Sequence, residues 1–199
     1  MQEYLDPINA ALASAQAALS DLQKNAPTLT HIAAAAALLV QTFKSGGHVY
    51  SCGNGGSMCD AMHFAEELSG KFRQERAPLP ALAISDPAHL TCAANDFGFD
   101  QVFSRFITAH GRPGDVLFAI STSGSSPNVL AAATAARQRG VKVIALTGKS
   151  QGKLSALADL TICTPSATPY SDRVQELHIK VIHILIECCE KSLFAPGAA

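Results

Sequence analysis

Residues 47–71 read GHVYSCGNGGSMCDAMHFAEELSGK. An apolar run at 48–52 feeds a turn of Gly53, Asn54, Gly55, Gly56 and Ser57, and a helix is predicted over 58–69. A strand, a glycine-rich turn and a helix in immediate succession form the first half of a parallel βαβ unit. The turn presents backbone N–H groups at a helix N-terminus, which together with the helix dipole favour an anion, most simply a phosphate. His63 and Glu67 stand four apart on the helix and share a face. That pairing suits two ligands of one metal ion, or a base with its orienting partner. Glu66 is expected to point elsewhere, into solvent.

Upstream, 6–24 reads as a helix with Pro7 in its first turn, and a second helix reaches Lys44, capped by Thr28 or Thr30 and stopped by Gly46 and Gly47. The second helix is apolar nearly all round over 32–40, which predicts burial on most sides. Residues 1–46 therefore read as a helical arm, packed on another subunit in preference to the core, because one small sheet covers only so much helix. Downstream, strands at 79–84, 116–120, 141–146 and 160–163 alternate with helices at 87–94, 100–110, 127–139, 154–158 and 172–193. A polar turn, Asn95-Asp96-Phe97-Gly98, separates the first two of these helices. The expectation is an α/β fold: one domain over 1–199, with a three-layer α/β/α core of parallel strands over 47–199, flavodoxin-like or Rossmann-like.

Composition excludes several classes. The formal charge of −1 gives no electrostatic reason to expect nucleic acid. No run of eighteen uncharged apolar residues suggests a membrane span, and the opening MQEYLDPINA lacks the charged and apolar regions of a signal peptide. Six cysteines (Cys52, Cys59, Cys92, Cys163, Cys188, Cys189) contain no C-x-x-C pair. They read as free thiols in a reducing cytoplasm, small buried hydrophobes in the main.

A second loop repeats the logic of the first. Ser121, Thr122, Ser123, Gly124, Ser125 and Ser126 follow an apolar strand and lead into a helix beginning at Pro127. Neither loop matches a dinucleotide or P-loop signature. The last helix adds Asp172, Gln175, Glu176, His178 and His183 among aliphatic residues. Gln175 and His183 are eight apart, about 12 Å along the axis, which is too far for one ion unless the side chains lean together or the helix bends.

The segments SCGNGGS, DAMHFAEEL, AISD, ANDFGF, GDVLFAISTSGSS, VKVIALTGK and RVQELHIKVIHILI, in that order, resemble the sugar isomerase (SIS) domain family in its phosphoheptose-isomerising branch. The resemblance covers nearly the whole chain. It implies the SIS fold, a homotetramer, and aldose–ketose conversion of sedoheptulose 7-phosphate to D-glycero-D-manno-heptose 7-phosphate. It implies substrate contacts at Asn54, Gly55, Gly56, Asn95, Asp96, Ser121, Thr122, Ser123, Ser126 and Gln175. It also implies zinc at His63, Glu67, Gln175 and His183, with Glu67 and His183 as the acid/base pair. Residues from neighbouring subunits complete the family's site, which would relieve the Gln175–His183 tension. Met58 departs from relatives that carry histidine there, and Lys71 from those that carry arginine.

Overall fold

The computed structural model describes residues 1–164 and 170–194, so the loop expected at 164–170 lies largely outside the described residues. Two helices, α1 (Gln2–Lys24) and α2 (Ala26–Lys44), precede the strand β1 (Val49–Cys52) and its helix α3 (Gly56–Ser69). Then come β2 (Ala81–Ala83), α4 (Pro87–Phe97), a 3-10 turn at Phe99–Gln101, α5 (Val102–His110) and β3 (Val116–Ser121). The chain continues through α6 (Pro127–Gln138), β4 (Lys142–Thr147), α7 (Lys153–Leu157), β5 (Leu160–Cys163) and α8 (Asp172–Phe194). The five strands are all parallel, in the order β2-β1-β3-β4-β5.

The three central strands are buried on both faces because they are apolar on both, while the edge strands β2 and β5 are only partly covered. On β3, Val116, Phe118 and Ile120 join the cluster made by α2, α3 and α8, while Leu117 and Ala119 join the one made by α4–α7. Each strand residue points opposite to its neighbour, so one continuous apolar run serves two helical layers. Asp115 stands at the sheet's amino-terminal edge, where its carboxylate accepts from the His48 and Arg112 amides at 2.8 and 3.0 Å.

Several boundaries differ from the sequence reading, each for a local reason. Asn25, rather than Thr28 or Thr30, caps α2 by accepting from the Thr28 amide at 3.1 Å. The Thr28 hydroxyl donates instead to the Cys163 carbonyl, and that of Thr30 to Ala26. Pro7 lies inside α1, which begins at Gln2. Asn95 and Asp96 are not a turn but the last residues of α4, which ends only where Gly98 takes φ 86°.

The two N-terminal helices behave differently. α2 inserts Ile32, Ala35, Ala36, Leu39 and Phe43 into the core, and its other face, rich in alanine, stays exposed. Burial on one face, rather than on most sides, is the finding, because alanine raises apolar content without requiring cover. Among the described residues, α2 is the helix long and apolar enough to cross a membrane by composition; here its apolar side packs in a helical layer of the sandwich. α1 buries only Leu22 and is otherwise held by contacts with α8, among them Arg173 donating to the Ala11 carbonyl.

His178 is fully buried in α8 with neither ring nitrogen hydrogen-bonded. Burial pushes its pKa down to about 4, and the nearby Thr147 carbonyl opposes this only in part. The folded protein keeps this imidazole neutral while the unfolded chain binds a proton below about pH 6.5, so stability falls as pH drops from 6.5 toward 4. The full effect is about 3 kcal/mol. His178→Leu is expected to match the native protein in urea unfolding at pH 7 and to lose less stability by pH 5. Equal losses in the two proteins would show that His178 is not the group responsible.

Candidate active site

The strand order reverses direction between β1 and β3: the chain leaves β1 for β2 on one side and β3 for β4 on the other. Ligands of such sheets bind in the crevice that opens there, beyond the strands' carboxyl ends. Both candidate anion loops leave these two strands. Their spacing is locked by a reciprocal amide pair: Asn54 Nδ2 donates to Asn128 Oδ1 and Asn128 Nδ2 to Asn54 Oδ1, each at 2.8 Å. Asn128 is buried in the first turn of α6 and also accepts from the Val129 amide through Oδ1. Ser51 Oγ donates to the Ala61 carbonyl at 2.8 Å, tying β1 to α3.

The first loop leaves Gly55 and Gly56 exposed at the start of α3. Gly56 lets the Gln175 amide lie close against the turn: a Cβ would stand 2.5 Å from Gln175 Nε2 and would push that side chain aside. In the second loop the Ser121 and Ser126 hydroxyls lie 3.1 Å apart. Ser123 Oγ accepts from the Ser125 amide and hydroxyl at 3.3 and 3.0 Å. Thr122 accepts from the Gly148 amide through its carbonyl. Gly124 takes φ +64°, with Thr147 Oγ1 3.0 Å from where a Cβ would be. Clustered hydroxyls at the N-terminus of α6 make this loop a fitting seat for a phosphate.

α3 and α8 pack side by side, and three side chains meet between them. His63 Nε2 lies 3.2 Å from Glu67 Oε1 and 3.4 Å from His183 Nε2. All three groups offer a ligand atom within 4.8 Å of one another. Two imidazoles and a carboxylate around a tetrahedral ion with bonds of about 2.05 Å would place their ligand atoms about 3.3 Å apart. The arrangement fits such an ion and leaves a fourth position open, as catalytic sites do. Phe72 covers the outer side, its ring centroid 5.7 Å from that of His183. Burial, then the neighbouring His63 and Lys180, holds His183 below the ordinary histidine range, which keeps a lone pair available at neutral pH.

The Gln175–His183 tension resolves along α8. Gln175 places its amide against Gly56 at the glycine turn, and His183 meets His63, so one helix serves both ends of the site. His63, Glu67 and His183 come together within a single chain, with no neighbouring copy required. Glu66 is exposed, with Oε1 3.9 Å from His63 Nε2. Asn95 and Asp96 are not brought to either loop or to the histidines. Both are exposed, and Asp96 accepts from Asn95 at 2.8 Å and from the Cys92 thiol at 3.5 Å.

Two residues enter the site that the sequence reading did not single out. Asn128 gave no signal distinguishable from an ordinary residue of a first helical turn. Asp60, one turn before His63 on the same face, could have been found by that spacing. Its Oδ2 is buried without a hydrogen-bond partner, and burial pushes its pKa up to about 6 against the pull of His63. Cys52 is no nucleophile, because burial pushes its thiol up to about 12. Met58 turns its side chain into the apolar cluster of the α4–α7 face.

Two candidate anion loops at a topological switch point, with a two-histidine carboxylate cluster in the same fold, define a class, and comparison with known proteins agrees. The profile of the SIS domain matches residues 12–148, and the chain belongs to that family. The phosphoheptose isomerase of Escherichia fergusonii is 54% identical over 190 residues, covering 96% of this chain and 98% of its own length. The solved phosphoheptose isomerase of Neisseria gonorrhoeae is 39% identical with a TM-score of 0.86, covering 94% of this chain and 98% of that one. The one from Francisella tularensis is 37% identical with a TM-score of 0.87, covering 94% and 97%.

Asn128→Ala leaves the Asn54 amide unpaired between the two loops. It is expected to cost about 1–3 kcal/mol in urea unfolding and to raise KM for a sugar phosphate more than it lowers kcat. An unchanged KM in a folded variant would mean that the amide pair does not set the spacing of the loops.

Proposed function

We propose that this chain is an aldose–ketose isomerase converting sedoheptulose 7-phosphate to D-glycero-D-manno-heptose 7-phosphate, the first step toward heptose precursors of lipopolysaccharide core or related glycans. The carrying observation is the meeting of His63, Glu67 and His183 within 4.8 Å beside two anion-binding loops. A module of this fold working only by protein contact would have no need of that cluster. Kinship with phosphoheptose isomerases along 96% of the chain points the same way.

The reaction moves a proton between C1 and C2 through an enediol(ate), and requires a base at carbon and a proton donor at oxygen. Glu67 takes the base role: its carboxylate removes the proton from C1 of the ketose and returns it at C2. His183 handles the proton on the two substrate oxygens, since a neutral imidazole can both accept and donate one. Ser121, Thr122, Ser123 and Ser126 hold the phosphate at the start of α6, remote from the reacting carbons, and so supply positioning energy. Asn54, Gly55, Gly56 and Gln175 line the sugar between these points. Zinc is the metal we assign to His63, Glu67 and His183, the three groups that meet; when bound, it would supply Lewis-acid charge to the substrate oxygens.

A homotetramer in the cytoplasm completes the reading. α1 exposes Tyr4, Leu5, Ile8, Leu12 and Leu19 while burying a single residue. A helix with so little cover gains stability from a second copy. Asn95 and Asp96, exposed on α4, are then substrate contacts made across a subunit boundary. Sedimentation is expected to give four times the chain mass of 20.8 kDa; a monomer at micromolar concentration would remove this part of the reading.

The decisive assay incubates the protein with sedoheptulose 7-phosphate, with and without zinc, and follows aldose formation. Turnover is expected, lost to a chelator and restored by zinc. Glu67→Gln is expected to lower kcat by about 10²–10⁴-fold at every zinc concentration. Absence of turnover by the native protein under both conditions would refute the assignment.

A further inference from the structure

The segment after α3 has no regular structure between Gly70 and β2, yet it holds a fully buried ion pair. The side chain of Arg76 is 1% exposed and that of its partner Glu190, on α8, is 4% exposed. Arg76 Nε donates to Glu190 Oε1 at 3.0 Å. Its Nη2 donates to the carbonyl of Glu67 at 2.7 Å, and its Nη1 to that of Leu68 at 2.7 Å, with longer contacts to the Gly70 and Ala77 carbonyls. Glu190 Oε2 accepts in addition from the Arg73 amide at 3.3 Å.

Each of these contacts has a physical reason. The last carbonyls of a helix lack partners within it. Gly70 N–H takes that of Glu66, and the guanidinium takes those of Glu67 and Leu68. A cation at this end also complements the helix dipole. Arginine suits the role because its planar fork can reach two carbonyls and a carboxylate at once. A buried ion pair, however, recovers its desolvation cost poorly and is weak as a stability device. What this pair does is geometric. It joins the turn of α3 that bears Glu67 to a point on α8 two turns beyond His183. The same segment lays Phe72 against the His183 ring and pairs Arg73 with Glu187 at 2.8 Å.

We infer that Arg76, acting through Glu190, is a positioning residue for the isomerisation: it sets the register of α3 on α8 and so holds Glu67 and His63 at working distance from His183. The inference rests on the proposed acid/base roles of Glu67 and His183. None of the Arg76 contacts reaches the loop at 121–126, so the clamp acts on the chemical step and not on capture of the phosphate.

The test is the double variant Arg76→Met/Glu190→Met, which removes both charges and strands neither, with Arg76→Lys beside it. Three quantities are read: the thermal midpoint, kcat and KM for sedoheptulose 7-phosphate, and zinc affinity by titration into metal-free protein. The double variant leaves the Glu67 and Leu68 carbonyls without the guanidinium, so it is expected to melt below the native protein while staying folded at assay temperature, to lose about 10–100-fold in kcat and in zinc affinity, and to keep KM within about threefold. Lysine keeps the charge pair but cannot serve both carbonyls, so it is expected to recover the midpoint without recovering kcat. The clamp is overturned by a folded double variant with native kcat and zinc affinity, or by losses that follow only the unfolded fraction. If the double variant does not fold, Arg76→Lys is judged on the same readings. A native protein that binds zinc without turnover would refute the reaction and leave the clamp to be decided by zinc affinity; one that does neither overturns both.

Discussion

Val49 of β1 pairs with Val116 of β3, and Cys52 with Ala119, in parallel register. From this pairing the site follows. Because the strands run in the same direction and are adjacent, the turn after Cys52 and the loop after Ser121 emerge side by side, each ending at a helix N-terminus. Because the chain departs from these two strands toward opposite edges of the sheet, nothing crosses the gap between them. The gap is bridged instead by the Asn54–Asn128 amide pair, whose two hydrogen bonds fix the separation of the loops. Two candidate anion loops are thereby held by backbone geometry on a sheet whose central strands are buried on both faces.

The chemistry depends on a second pairing, of α3 with α8. The two helices lie in the same layer, and each buries an apolar stripe in the same cluster: Ala61, Phe64 and Leu68 from one, Leu177, Val181, Ile182 and Leu185 from the other. Hydrophobic packing of this sort brings helices together without specifying register finely, since neighbouring ridges and grooves are alike. A cluster in which His63 Nε2 lies 3.2 Å from Glu67 Oε1 and 3.4 Å from His183 Nε2 needs finer control. Directional contacts with defined partners supply it: Arg76 on the α3 carbonyls and Glu190, and Gln175 against Gly56. Polar groups buried at these points shape the active site of this isomerase more than they stabilise its fold.

Burial tunes the ionisable groups in opposite senses along one helical layer. It raises Asp60 to about 6, lowers His183, and keeps His178 neutral down to about 4. The charged form is disfavoured in each case, but a carboxylic acid rises and an imidazole falls. The result near pH 7 is a pair of neutral imidazoles on α8, one facing the cluster and one sealed behind β4. The sealed one makes the protein sensitive to acid without touching the reacting groups.

Much of the architecture is legible in local sequence. Apolar runs of four to six residues alternating with helices required a parallel sheet covered on both sides, and the composition of the loops at 53–57 and 121–126 marked both as candidate anion seats. The spacing of His63 and Glu67 placed them on one face of one helix. These features were legible because they rest on local periodicity and local backbone chemistry. Tertiary structure alone decided what depends on distant contacts. It decided that His183 and not Gln175 meets His63, that Asn128 reaches Asn54 across the crevice, and that Arg76 caps the helix bearing Glu67. It also drew Asn95 and Asp96 into α4 instead of a turn. Residues 74, 117 and 120 positions apart in sequence touch here. No periodicity encodes such contacts, since they arise only when strand order and helix packing close the chain on itself.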